Sequence, residues 1–101
     1  MTRESARALK SFRLLLALES YGRRQHIDPE TVRGTNQLVE LATRFTARDW
    51  ELLSKAAGLS TSPSADTRDM VFLFLDAKAR HLFDLPPVRV GLALVPEVAN
   101  G

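Results

Sequence analysis

The chain has 101 residues, 45% of them hydrophobic and 26% charged, with a formal net charge of +2. That length suits one domain, and the mixture of apolar residues with both signs of charge argues against disorder. The absence of cysteine excludes disulfides, thiolate catalysis and cysteine-ligated zinc.

The first predicted element is a helix from Arg3 to Tyr21. Leu9, Phe12, Leu16 and Ala17 share one face at the 3.6-residue period, with Leu15 and Leu18 widening it, and this face is expected to be buried. Arg3, Arg7 and Lys10 line the opposite flank, and Gly22 is the expected helix stop. Residues 1–26 carry Arg3, Arg7, Lys10, Arg13, Arg23 and Arg24 against Glu4 and Glu19, a balance of +4 that leaves the remainder at −2. A basic first helix on a mildly acidic body makes these six residues the candidate contacts for an anionic partner.

Asp28-Pro29 marks a second helix start, because Asp is a good N-cap and Pro suits the first helical position. Gly34 weakens that turn, so a turn followed by a helix from about Thr35 is preferred over one continuous helix. Val32, Leu38, Val39, Leu41, Ala42 and Phe45 supply its apolar face. Thr46 opens a third helix, with Asp49 completing a capping box, Phe45 and Trp50 spaced as a hydrophobic staple, and Gly58 as the stop. Residues 59–65 read as a loop.

A fourth helix is expected from Ser64 or Asp66, running through Met70-Val71-Phe72-Leu73-Phe74-Leu75 to Leu82 and Phe83. Apolar residues on every side imply contact on every side, either within the bundle or with a second chain. Pro86-Pro87 ends helical structure. Val88, Val90, Leu92 and Leu94 then alternate at period two, which predicts a strand or an extended strap. The expected fold is all-α: a compact bundle of about four helices over residues 1–87, followed by an extended tail over residues 88–101.

Chemical sites find little support. Leu53 to Ser60 resembles the end of the first helix and the turn of a repressor-type helix-turn-helix. Ser64 and Thr67, however, stand where the second helix would need apolar residues, and Pro63 falls inside it. His26 lies near Asp28 and Glu30, and His81 near Asp76 and Asp84, but neither spacing makes a metal site, and both histidines are expected at the surface or partly packed. Asp76 is the best acid–base nominee, yet it is placed to pair with Arg80 at i+4. No glycine-rich loop or Ser/His/Asp spacing is present.

The expectation is therefore a non-enzymatic protein–protein interaction module without cofactors: an adaptor, inhibitor or accessory subunit. Self-association as a homodimer is expected through the fourth helix and the tail, with Phe72, Phe74, Val90, Leu92 and Leu94 as interface residues. Arg3, Arg7 and Lys10 would form a charged rim. The alternative is a small nucleic-acid-binding regulator using the six basic residues of the N-terminal region. No apolar segment resembles a signal peptide, and the longest apolar run, Met70 to Leu75, is far short of the ~20 residues that span a bilayer. A cytoplasmic protein with no membrane or small-molecule partner is expected.

Overall fold

A computed structural model describes residues 2–84 of the chain. They form four helices: α1 (Arg3–Arg24), α2 (Val32–Thr43), α3 (Ala47–Ala56) and α4 (Ala65–Asp84). The described residues are 77% helical and the fold is all-α. The alternating segment with Val90, Leu92 and Leu94 lies outside the described residues.

Helix α1 begins at Thr2, whose side chain accepts a hydrogen bond from the Ser5 backbone N–H. It continues through Gly22 and stops three residues later than the sequence predicts. The residue that leaves the helix in left-handed conformation is His26, at φ 64°. The His26 N–H donates to Arg23 O and the Ile27 N–H donates to Gly22 O, the paired bonds of a Schellman motif. Gly22 serves a different purpose. A Cβ there would lie 2.6 Å from Leu38 Cδ2, so its missing side chain lets α2 approach α1.

The start of α2 falls between the two expected positions. Asp28 and Pro29 form a turn outside the helix, in which the Asp28 side chain accepts from the Glu30 N–H. Thr31 is the N-cap, accepting from the Gly34 N–H at 2.9 Å. Gly34 therefore sits in the first helical turn rather than before it. Its lack of a Cβ is required: that atom would lie 1.6 Å from the Asp28 carbonyl oxygen. Sequence propensity counts this glycine as a break, whereas here it permits a close backbone crossing.

Helix α3 follows its sequence signals. Thr46 and Asp49 make the reciprocal capping box. The Phe45 and Trp50 rings meet edge-to-face with centroids 5.2 Å apart, which closes the staple. Gly58, at φ 77°, ends the helix in a second Schellman motif, with Gly58 N–H bonded to Lys55 O and Leu59 N–H to Ser54 O. Residues 59–64 cross to α4, which Ser64 caps by accepting from the Thr67 N–H.

The core gathers Leu14, Leu15, Leu18, Leu38, Ala42, Trp50, Leu53, Val71 and Leu75. This corrects the expected inner face of α1. Leu9, Phe12 and Leu16 are 46–49% exposed, while the buried face is Ser11, Leu14, Leu15, Leu18, Glu19 and Gly22. Leu14-Leu15-Leu16-Ala17-Leu18 wraps most of the helix circumference, so apolar period alone fits more than one inward face. Small residues decide it, because Ser11 and Gly22 allow neighbouring helices to come close. The buried Ser11 hydroxyl donates to the Thr67 carbonyl of α4 at 3.0 Å.

Helices α1 and α4 lie side by side and run parallel. Arg7 pairs with Asp66, Ser11 with Thr67 and Glu19 with Lys78, in the same order along both helices. Helix α4 also packs along α2, and α3 packs along α1. Val71 and Leu75 of α4 are fully buried, but Leu73 is 63% exposed. Of the two expected arrangements for α4, enclosure on every side by the bundle is not seen among the described residues: its inner half is enclosed and Leu73 on its outer half is open.

Candidate protein-docking face

The open halves of α1 and α4 lie on the same side of the molecule. On α1, the residues touching α4 (Arg7, Ser11, Glu19) and those lining the groove towards α3 (Ala17, Tyr21, Arg24) border the stripe Leu9–Phe12–Leu16. On α4, Thr67 and Lys78 turn towards α1, and Arg68 and Phe72 turn towards Trp50. Leu73 points away from both sets. Because the two helices are parallel and right-handed, their outward stripes share one face. The Ser11–Thr67 and Glu19–Lys78 contacts bring Leu16 level with Leu73 and Phe74.

Among the described residues five large apolar side chains remain exposed: Leu9, Phe12, Leu16 and Leu73 on this face, and Leu52 on α3. Single exposed leucines are common on soluble proteins. Three on one helix face with a fourth on the adjoining helix make a concentration of apolar surface, and larger exposed apolar patches mark interaction surfaces. Met70 and Phe74 on α4 are partly buried, and Phe74 packs against the core.

Of the expected interface residues, Phe74 borders this face and packs partly against the core. Phe72 sits on the other side of α4, edge-to-face with Trp50 at 6.2 Å, and lines a separate groove. Val90, Leu92 and Leu94 lie outside the described residues. Sequence reasoning assigned Leu9, Phe12 and Leu16 to the core and so missed them as surface. Ser11 and Gly22, small residues on the same helix side as Leu15 and Leu18, are the signal that could have found the inversion.

The six basic residues do not converge on one surface. Arg7 faces Asp66 at 3.8 Å, and Arg23 faces Glu30 at 3.5 Å. Arg24 lies over the Tyr21 ring. Lys10 borders the 59–64 loop, and Arg3 and Arg13 are exposed. Arg13 stands beside Leu9 and Leu16 at the edge of the apolar strip and has no ionic partner among the described residues.

One depression, of about 430 Å³, is lined by Ala42, Phe45, Trp50, Arg68, Asp69 and Phe72 among others, and takes no residue from α1. A smaller one of about 190 Å³ is lined by Lys10 and the hydroxyls of the 59–64 loop. Buried polar side chains are engaged in structure: Thr35 donates to Pro29 O, Ser54 to Thr61 O, and Thr67 meets Ser64. Asp76 pairs with Arg80 at 3.3 Å, and His26 and His81 are exposed. Among the described residues no group of three His, Cys, Asp or Glu side chains is placed to hold a metal ion. No helix among them is long and apolar enough to cross a membrane.

Comparison with protein-family models, with curated proteins and with solved structures finds no match to this chain.

Proposed function

We propose that this chain is a non-enzymatic protein–protein interaction module, an adaptor, inhibitor or accessory subunit, and that α1 and α4 together form its docking face. One observation carries the reading: Leu9, Phe12, Leu16 and Leu73 are 46–63% exposed on two adjacent, parallel helices. Covering such residues with apolar atoms yields about 25 cal/mol per Å² removed from water. Their cores sit on rigid helices, so binding would cost little loop ordering. The polar residues near them act as a rim that sets orientation and association rate rather than affinity.

Site-specific photo-crosslinking in cells tests the reading. A photoreactive side chain at Leu73 should give discrete protein adducts, whereas one at Arg48, a 67% exposed side chain on α3, should give none of the same size. Equal labelling at the two positions, or no adduct at Leu73, would overturn it.

A further inference from the structure

We infer that the occupant of the α1/α4 face is a second copy of this chain, seated about a two-fold axis that runs between and along α1 and α4. This rests on the docking face proposed above and names its partner. Charge distribution carries the choice. The α1 half of the face is edged by Arg13, which has no ionic partner among the described residues. On α4, Arg68 is turned to the Trp50 ring and Lys78 to Glu19. Its outer side is left with Asp66 and Asp76 against Arg80, and Asp69 is exposed at the border between that side and the Trp50 groove. Asp66 is shared with Arg7 and Asp76 with Arg80, while Asp69 has no ionic partner among the described residues.

A face with an uncompensated cation at the edge of one helix and an uncompensated anion at the edge of its neighbour complements itself when a two-fold exchanges the helices. The axis described does this: it lays α1 of each protomer on α4 of the other and keeps the level along the helices. Phe12 and Leu16 then meet Leu73 of the second copy, and Arg13 comes opposite Asp69. A two-fold across the helices would instead stack α1 on α1 and α4 on α4, so that Arg13 could not meet Asp69. Isologous pairing also suits the dimensions. Two helices of about 20 residues, packed roughly 10 Å apart, present a face of about 600 Å². A standard interface takes about 800 Å² from each partner, so the face is large enough for a reversible dimer and small enough to dissociate on dilution.

The test is the solution mass of the full chain by light scattering over a concentration series, with circular dichroism as the check on folding. The expected result is a monomer–dimer equilibrium in which Leu73→Asp gives monomer with the helical signal unchanged. Arg13→Asp should weaken association at least tenfold, and Arg13→Asp combined with Asp69→Arg in one chain should restore it to within about threefold. A full chain that is monomeric at every concentration would overturn the second-copy inference. Leu73 adducts to a different protein would then leave the docking face standing, and their absence would remove both. A dimer that survives Leu73→Asp but is lost in Leu92→Asp would overturn the inference by placing the contact in the tail. A dimer lost in Arg13→Asp but not recovered by the charge exchange would overturn the stated pairing of α1 on α4.

Discussion

Lys78 Nζ lies 2.5 Å from Glu19 Oε2, joining α4 to α1 across 59 positions of sequence. The Glu19 side chain is 7% exposed and that of Lys78 is 22% exposed. Lys78 also reaches Glu30 at 3.4 Å, and Glu30 in turn meets Arg23. The pair therefore ties three segments together: the end of α1, the 25–31 turn and α4.

The two halves of this pair should not be equivalent to mutation. Lys78→Met leaves a nearly buried carboxylate whose only cation among the described residues has gone. Glu19→Gln leaves Lys78 with Glu30 and with an amide oxygen still in place. Lys78→Met is expected to cost about 2–4 kcal/mol and Glu19→Gln about 1–2 kcal/mol. Denaturant unfolding at neutral pH decides the order, and an equal or reversed pair of values would show that the carboxylate is better solvated than its burial implies.

Replacing Gly22 or Gly34 with alanine sets helix propensity against packing. Propensity alone expects a gain of about 1 kcal/mol at each. Contact geometry expects a loss. At Gly22 the new methyl meets Leu38, a fully buried side chain with little room to swing aside. At Gly34 it meets the Asp28 carbonyl, which belongs to the backbone and moves only with the whole turn. The expected outcome is destabilisation by about 1 kcal/mol at Gly22 and more than about 2 kcal/mol at Gly34. Thermal melting reads both, and stabilisation at either site would contradict the close approach.

Thr46→Ala removes the acceptor for the Asp49 N–H and with it one half of the α3 capping box. A loss of about 1 kcal/mol is expected, or roughly 4–8 °C in Tm for a domain of this size. Thr46→Ser should recover most of it, because the hydroxyl is what the cap uses. A melt insensitive to Thr46→Ala would mean that Phe45 and Trp50 hold the start of α3 by themselves.

Leucines on opposite sides of α1 should behave as opposites. Leu14→Ala opens a cavity at a fully buried position and is expected to cost about 3 kcal/mol. Leu16→Ala, at a position 48% exposed, should change the stability of the monomer by less than about 1 kcal/mol. A pair of urea melts at low chain concentration distinguishes them. The apolar period alone, which places Leu16 inside, expects the larger loss at Leu16.

Where the chain marks its own helix ends with local chemistry, those ends were legible. Thr46, Asp49, Phe45, Trp50 and Gly58 specify α3 because capping, staple and left-handed stop each involve residues within a few positions of one another. Ser64 opens α4 for the same reason. The all-α class followed from these signals together with the apolar spacing. The Asp76–Arg80 contact was legible too, since i,i+4 partners meet on any helix. Gly22 and Gly34 were misread for the converse reason: what each glycine avoids lies on another segment, Leu38 for one and the Asp28 carbonyl for the other.

The inward face of α1, and with it the candidate docking face, was decided only in three dimensions. Leu9, Phe12, Leu14, Leu15, Leu16 and Leu18 surround the helix, so burying one side necessarily leaves apolar residues on the other. Which side turned inward was set by the hydroxyl of Ser11 reaching Thr67, by Gly22 admitting Leu38, and by Glu19 meeting Lys78. Those are long-range contacts, and a periodicity read along one helix contains no information about the shape of its neighbours. Local capping chemistry, by contrast, is complete within a single turn of chain, which is why the sequence by itself determined where the helices lie but not which of their faces would remain open.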